Sequence, residues 1–438
     1  MTDGTPVTLE QLLDAREARA ARQQELLAKH GGALVCLTVN MPGPVKRCVL
    51  SDRLFTLGAR AVSQVLDGVR FSELRQTPAG CEGFWCVSGS PLAVKRALCR
   101  LEEDHPLGRL WDIDVLGPDG VPVSRRALGL PPRRCLLCSR PAVLCARSGA
   151  HPLSELLCAM RQTLARWESA RIGALVRQAL EDEVRVTPKP GLVDAVSNGA
   201  HTDMDISTFL ASAQALEKHF ARFTTIGMDG GGLTPRALFD SLRRPGMDAE
   251  QDMLAATGGV NTHKGAIFSL GILCAAAGRL VSLGGALTAD ALCGLSADMT
   301  HGLCARELPC EITTHGGQVF QRFGARGVRG EAESGFASVR TVGLPTLRQY
   351  RHQGTNEACV RVLLRLMACV EDTNLLARRG PEQAAWVREQ AQALTDSFSV
   401  SGAAALDAEM TRRGLSPGGC ADLLAVTIFL DAFERAEQ

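Results

Sequence analysis

Two rhythms of apolar residues divide this chain. Up to about residue 150, short β-type runs alternate with helical stretches. ALVCLTV (33–39), GFWCVS (83–88) and LWDIDVL (110–116) read as strands bounded by Pro, Gly and Asp. A helix is signalled at Thr8, where Gln11 three residues on forms a capping box ahead of Leu12, Leu13, Leu26 and Leu27. Another starts at Ser90, with Pro91 at the first helical position. LGPDGVPVSR (116–125) reads as a hairpin turning at Asp119-Gly120. From Leu153 onward the spacing becomes helical nearly to the end. Leu156, Met160, Leu164 and Trp167 set it, then Arg171 with Leu175, and later Val362, Leu366, Cys369 and Val370. Gly, Pro and Asn separate roughly ten helical segments there. The change of texture near residues 150–170 predicts a multidomain chain, an α+β domain over 1–164 followed by an all-α domain over 165–438. A helix beginning near Ser154 carries the chain across.

Composition narrows the class. The 438 residues suffice for two or three domains, and 45% hydrophobic content with only 4% aromatics implies Leu/Ala/Val-packed, helix-rich cores. A formal charge of +1 lacks the basic footprint of a nucleic-acid binder. The N-terminus has no apolar signal region. The most apolar run, AIFSLGILCAAAG (266–278), falls short of the ~20 residues a bilayer demands and reads as a buried helix. Sixteen cysteines without a secretory signal indicate reduced thiols. A cytoplasmic protein with no membrane or nucleic-acid partner is expected.

Chemistry concentrates in the helical half. TPKPGLVD (187–194), NGAHTDMD (198–205) and GGVNTHKGAIFSLG (258–271) carry Lys189, Asp194, Asn198, His201, Asp203, Asn261, His263 and Lys264 among conformation-fixing Gly and Pro. Cations for phosphate, carboxylates for Mg²⁺ and Gly beside ligand suit a phosphorylated nucleotide. Taken singly, each Asp or Asn here reads equally as a turn former. ARGVRGEAESGF (325–336) adds Arg326, Arg329, Glu331 and Glu333, two guanidinium forks in a Gly-rich turn. EDTNLLARRG (371–380) offers Asp372, Asn374, Arg378 and Arg379, the last two also readable as a cationic helix C-terminus before Gly380. LSPGGCADLLAVTIFL (415–430) is a helix start, with Pro417 and two Gly before Asp422.

These motifs, in this order over about residues 165–438, resemble the triphosphoribosyl-dephospho-CoA synthase family. The resemblance implies that the 2′-hydroxyl of dephospho-CoA attacks the anomeric carbon of ATP and adenine leaves. It makes Lys189, Lys264, Arg326 and Arg329, with Asn261 and Mg²⁺ on Asp194 or Asp203, the triphosphate set. Asp203 or Glu331 would be the base, and His201 or His263 the donor to adenine. One departure is Ala377-Arg378-Arg379, where the family pattern leads us to expect His-Arg-Gly. Asp205 is a weaker member than Asp203.

In the N-terminal half, LWDIDVL places Asp112 and Asp114 on one face of a strand, with Trp111, Ile113 and Val115 turned to a core. Paired carboxylates of this kind hold Mg²⁺ for phosphoryl transfer, although a bare D-x-D also reads as a solvated strand face. Arg16, Arg19 and Gln23 share a helix face, Lys46 follows a Pro-Gly turn, and HPLGR supplies His105 and Arg109. With GFWCV (83–87), HPLGRLWDIDV (105–115), RRCLLC (133–138) and CAR (145–147), this half is similar to the holo-citrate-lyase synthase family over about residues 8–160. That resemblance implies a nucleotidyltransferase-like domain. It would transfer phosphoribosyl-dephospho-CoA to a serine of the citrate lyase acyl carrier (gamma) subunit and release diphosphate. Asp112 and Asp114 would hold Mg²⁺ there, and Arg16, Arg19, Lys46 and Arg109 the phosphates. Cys135, Cys138, Cys145 and His151 form C-x₂-C-x₆-C-x₅-H, either a tetrahedral Zn²⁺ site or a metal-free cysteine-rich turn. The expected whole is a bifunctional enzyme. Its alternatives are the same precursor made for malonate decarboxylase, or a synthase whose N-terminal half is only a zinc-knuckle docking module.

Overall fold

The computed structural model describes residues 1–310 and 315–438. It divides into two compact units, Met1–Trp167 with Ser282–Gly284 and Glu168–Val281 with Gly285–Gln438.

The first unit runs α1 (Leu9–His30), β1 (Ala33–Val39), α2 (Val49–Val65), β2 (Val69–Thr77), β3 (Gly80–Val87), α3 (Pro91–Asp104), β4 (Trp111–Leu116) and α4 (Ala142–Ser148). Its four strands form an antiparallel sheet in the order β2-β3-β1-β4. The capping box at Thr8 forms, with Gln11 N–H on Thr8 Oγ1 at 3.2 Å and Thr8 N–H on Gln11 Oε1 at 2.9 Å. The turn at Asp119-Gly120 also forms, closed by Gly117 N–H on Val121 O and Val123 N–H on Val115 O. One strand escaped the sequence reading. β2 is an edge strand exposed on one face, so its Val69, Phe71 and Leu74 show no strict alternation.

Each face of the sheet has its own cover. Val35, Leu37, Trp85, Ile113 and Val115 pack with Leu54 and Val62 of α2 and Leu98 of α3. On the other face, Leu26 and Leu27 of α1 cover Leu34, Cys36, Phe84, Cys86 and Leu116. The second face is only half covered, and the unburied half carries the polar groups.

A 33-residue helix, α5 (Leu153–Arg185), continues into the second unit. There follow α6 (Ile206–Asp229), α7 (Pro235–Ser241), α8 (Arg243–Ala256), α9 (Lys264–Leu283) and α10 (Ala289–Thr300). After α11 (Leu303–Glu307) come α12 (His315–Phe323), α13 (Gly327–Glu333), α14 (Leu344–Tyr350) and α15 (Thr355–Cys369). The chain ends in α16 (Thr373–Asp396), α17 (Val400–Arg413) and α18 (Gly418–Glu437). Short helices such as α7, α11 and α13 raise the number above the roughly ten that spacing suggests, because pieces of one or two turns carry too little periodicity to be seen. α9 is longer than its apolar run. At 20 residues it has the length and composition to cross a membrane, yet 78% of its apolar window is buried among neighbouring helices. It is the central helix of this core, with Leu270, Leu273, Cys274 and Ala277 inaccessible.

Two candidate active sites

In the first unit β4 alternates as its sequence requires. Trp111, Ile113 and Val115 are buried, while Asp112 and Asp114 emerge on the α1 face. Asp114 stands opposite Cys36 and Asp112 opposite Thr38 of β1. α1 leans its polar stripe over this surface. Gln23 donates to Cys36 Sγ at 3.2 Å, Arg19 to Glu82 Oε1 at 2.7 Å, and Arg22 to Glu73 Oε2 at 2.9 Å. Asp112 accepts from Arg133 Nη1 at 3.0 Å. The Asp114 carboxylate has neither a hydrogen bond nor an ion pair among the described residues. Although open to solvent, its carboxyl is pushed above the usual range by the surrounding protein and by the like charge of Asp112. Lys46 donates to Met41 O at 2.7 Å, and burial with the nearby Arg16 charge lowers its ammonium pKa. Burial, then the charge of Arg133, does the same to Arg109.

On this face Arg19 is within electrostatic reach of Asp114, while Lys46 lies near Arg16 and Arg109 near Arg133. Two further groups there were missed by sequence reasoning. Glu82, a buried third carboxylate, hides in a strand whose residues are buried on both faces. Arg133 arrives from a distant loop. Two expectations change: Arg19 is already neutralised by Glu82, and Asp112 by Arg133, which leaves Asp114 as the accessible charge.

Cys135, Cys138, Cys145 and His151 place one ligand atom each within 4.8 Å of one another. The Cys138 and Cys145 sulfurs are 3.5 Å apart, close to the tetrahedral edge of ~3.8 Å that Zn–S bonds of ~2.3 Å define. Hydrogen bonds from Arg140, then from His151, pull the Cys138 thiol down to about 6. His151 Nε2 is buried with no partner among the described residues. Three thiols and an imidazole fit zinc.

In the second unit the polar clusters converge on the start of α9 and α18. The 187–203 loop is threaded by glycines at close approaches. A Cβ on Gly191 would lie 2.0 Å from Leu415 O, and its N–H donates to Asp407 Oδ1 at 2.9 Å. His201 Nε2 meets Ser416 Oγ at 2.8 Å, while Nδ1 lies 3.8 Å from the exposed Asp203. Burial and the Arg378 charge lower the His201 pKa. Asp422 reaches from α18 to the N-terminus of α9, where a Cβ on Gly265 would sit 2.1 Å from its Oδ2, and it accepts from Ala266 N–H. Burial, then the charges of Glu183 and Asp372, pushes its carboxyl far above normal. Glu183, at the end of α5, was not singled out by the sequence, being one of three acids in EDE (181–183). Only tertiary packing shows that it points inward.

Several expectations are corrected here. Lys189 is 2% exposed, and its ammonium donates to Glu183 Oε1 at 2.6 Å; it is a buried ion-pair partner rather than an open phosphate cation. Asp194 accepts from Thr187 Oγ1, Lys189 N–H, Val196 N–H and Ser197 N–H at 2.7–3.0 Å, so its lone pairs shape the loop and none is left for Mg²⁺. Asn261 Oδ1 caps α9 through Lys264 N–H. Lys264 itself is exposed and pairs with Glu250. His263 is buried, and desolvation drives its pKa to about 3, so it cannot be an imidazolium near neutrality. The Thr262 hydroxyl donates to Ser212 Oγ, leaving the Ser212 proton for His263 Nδ1 and a ring proton on Nε2, which has no partner among the described residues.

Asp372 caps two helices, accepting from Asn374 and Leu375 N–H in α16 and from Cys420 N–H in α18. Gly380, at φ 80°, breaks α16 directly after Arg378 and Arg379. Glu331 accepts from Ser338 Oγ at 2.8 Å, and burial raises its pKa. Arg326 opens α13, and Arg329 lies 3.5 Å from Glu307. Beside Asp372 a cavity of about 150 Å³ is walled by Phe323, Met367, Val370, Leu375 and Pro417, with Glu371 and Arg388 also lining it.

Comparison with known proteins follows this division. Residues 7–167 match the family model described as CitX, apo-citrate lyase phosphoribosyl-dephospho-CoA transferase. Residues 169–438 match CitG, ATP:dephospho-CoA triphosphoribosyl transferase. Protein CitXG of Haemophilus influenzae is 37% identical, covering 99% of this chain and 97% of its own length. Protein CitXG of Leuconostoc mesenteroides subsp. cremoris is 34% identical over 98% and 97% respectively. The 2-(5''-triphosphoribosyl)-3'-dephosphocoenzyme-A synthase of Klebsiella pneumoniae is 45% identical over 59% of this chain and 89% of that protein. Two transferase family matches that meet at Trp167, and two relatives matched end to end, make this chain a member of the CitXG family, a CitX transferase domain fused to a CitG transferase domain.

Proposed function

We propose that the chain makes and attaches the citrate lyase prosthetic group in two successive transfers. The reading is carried by one observation: the matches to CitX and CitG tile a single chain, and the product of the CitG reaction is the substrate of the CitX reaction. In the CitG half, the dephospho-CoA 2′-oxygen bonds to the anomeric carbon of ATP as the bond to adenine N9 breaks. The hydroxyl proton passes to a carboxylate, for which exposed Asp203 is suited, and adenine N9 keeps the bonding pair and takes a proton. Asp422, whose carboxyl burial and then the charges of Glu183 and Asp372 push far above the usual range, can supply that proton, and His201 can hydrogen-bond the ring. Arg326, Arg329, Lys264 and Arg378 would face the triphosphate, and Mg²⁺, when bound, would offset its remaining charge.

In the CitX half, which we read as nucleotidyltransferase-like, a carrier serine oxygen bonds to the α-phosphorus as the bond to diphosphate breaks, and the serine proton passes to water or to the departing diphosphate. Mg²⁺ on Asp114 and Asp112 would stabilise the charge developing on both oxygens. Arg16, Lys46, Arg109 and Arg133 would meet the phosphates. The Cys135/Cys138/Cys145/His151 knuckle would hold zinc as a structural site with four protein ligands.

Incubating the full chain with ATP, Mg²⁺, dephospho-CoA and apo acyl carrier subunit tests the whole. Mass spectrometry should show the carrier gaining phosphoribosyl-dephospho-CoA, with one adenine freed per carrier modified. Adenine release with an unmodified carrier would restrict the reading to the CitG half.

A further inference from the structure

We infer that the zinc knuckle is a clamp that positions Arg133 on Asp112, so that metal occupancy sets the activity of the transferase half. The inference rests on the zinc reading above and adds a function to it. Arg133 makes the one ion pair of Asp112 found among the described residues. Its other terminal nitrogen donates to Trp111 O and, at 3.4 Å, to Gly108 O, so the guanidinium spans the start of β4. Glu102, buried beneath, lies 3.6 Å away.

What holds the Arg133 backbone is the knuckle. Its carbonyl accepts from Ala142 N–H, the first residue of α4, and Cys135 N–H donates to Arg140 O, both at 2.8 Å, around an antiparallel bridge between Arg134 and Pro141. Arg133 therefore stands at the open end of a short hairpin whose tip is the Cys135–Cys138 turn. α4 then brings Cys145 back, and Ala150 N–H on Cys145 O turns the chain toward His151.

This segment has little else to hold it. Leu137, Val143 and Leu144 face solvent, while Leu136 packs on the core and Cys145 is buried. A hairpin with two ladder bonds and a seven-residue helix is too short to persist alone. Four ligands on one ion join the hairpin stem, its tip, α4 and the start of α5, and they fix Arg133 as a consequence.

The test uses the full chain with four readouts: bound zinc, protease cleavage within 129–151, single-turnover attachment from supplied intermediate, and adenine release. Wild type should carry about one zinc. Cys138→Ser, His151→Ala and chelated wild type should lose it, become cleavable, and attach at least about tenfold more slowly, a loss of ~1.4 kcal/mol in transition-state stabilisation. Adenine release should not change, and zinc should restore the chelated protein. Arg133→Ala should keep zinc yet attach as slowly, and its Mg²⁺ dependence of attachment should shift in the same direction as in zinc-free protein. Zinc-free protein attaching at the wild-type rate overturns the clamp and leaves the zinc reading standing. Wild type that binds no zinc overturns both. If Cys138→Ser does not fold, reversible chelation of wild type decides.

Discussion

Lys189→Met separates a buried ion pair from a phosphate-binding lysine. In the structure Lys189 and Glu183 side chains are 2% and 5% exposed and 2.6 Å apart. Removing the ammonium leaves Glu183 in a site where desolvation already raises its carboxyl pKa. Breaking a buried pair from one side costs about 3–5 kcal/mol. Glu183 can limit that cost by taking up a proton, which makes the loss depend on pH. A carboxyl whose folded pKa lies above its unfolded one binds more protons folded than unfolded between the two values, so stability falls as pH rises through that window. Lys189→Met should therefore be destabilised by about 3–5 kcal/mol at pH 8 and by clearly less at pH 5. Glu183→Gln with Lys189→Met should recover part of the loss, because no charge is left unpaired. Urea unfolding followed by circular dichroism at both pH values measures this. A Lys189→Met protein of near wild-type stability at pH 8 that frees no adenine would refute the argument and return Lys189 to the triphosphate.

Three further outcomes follow from the same geometry. Asp114→Asn should slow carrier attachment by about a hundredfold or more, since lost metal-stabilised charge costs several kcal/mol, while adenine release continues; attachment within a fewfold of wild type would return Asp114 to the solvated surface. Gly265→Ala should stop adenine release and spare attachment of supplied intermediate, because its Cβ would displace Asp422; unchanged release would remove Asp422 from the site. His263, neutral down to about pH 3 when folded but protonated below ~6.5 when unfolded, should cost stability as pH falls from 6.5 toward 3, at up to about 1.4 kcal/mol per unit. His263→Asn should flatten that acid limb, and an unchanged slope would mean the ring protonates in place.

The elements legible in the sequence are those set by local period. β4 declared both of its faces through strict alternation, and α1 declared its start through Thr8 and Gln11. What stayed hidden depends on a partner brought from elsewhere. Glu82 is buried because β3 is an inner strand, which nothing in GCEGFWCV marks. Arg133 matters because the knuckle folds back to β4. Glu183 differs from its neighbours Glu181 and Asp182 only in the direction it takes from α5. Asp422 reads locally as part of a helix start, and only the bare α carbon of Gly265 shows what it approaches.

Residue type identifies where polar chemistry gathers, but lone pairs decide which members are available for it. Asp194 accepts four hydrogen bonds from its own loop, Asp205 caps α6 with its carboxyl held at about 2, and Asp372 ties two helices together. Each is a polar residue in a motif, and each is committed to backbone. Asp114, Asp203 and Asp422 retain accepting capacity, and each lies beside another charged or polar group of its own cluster. Burying a carboxylate is costly, and Asp422, inaccessible with one backbone N–H to offset that cost, is retained against it, whereas Asp114 and Asp203 stay open to solvent. The committed carboxylates hold the loops in place. Substituting them should disturb folding and activity together, whereas substituting the uncommitted three should lower activity in a chain that still folds.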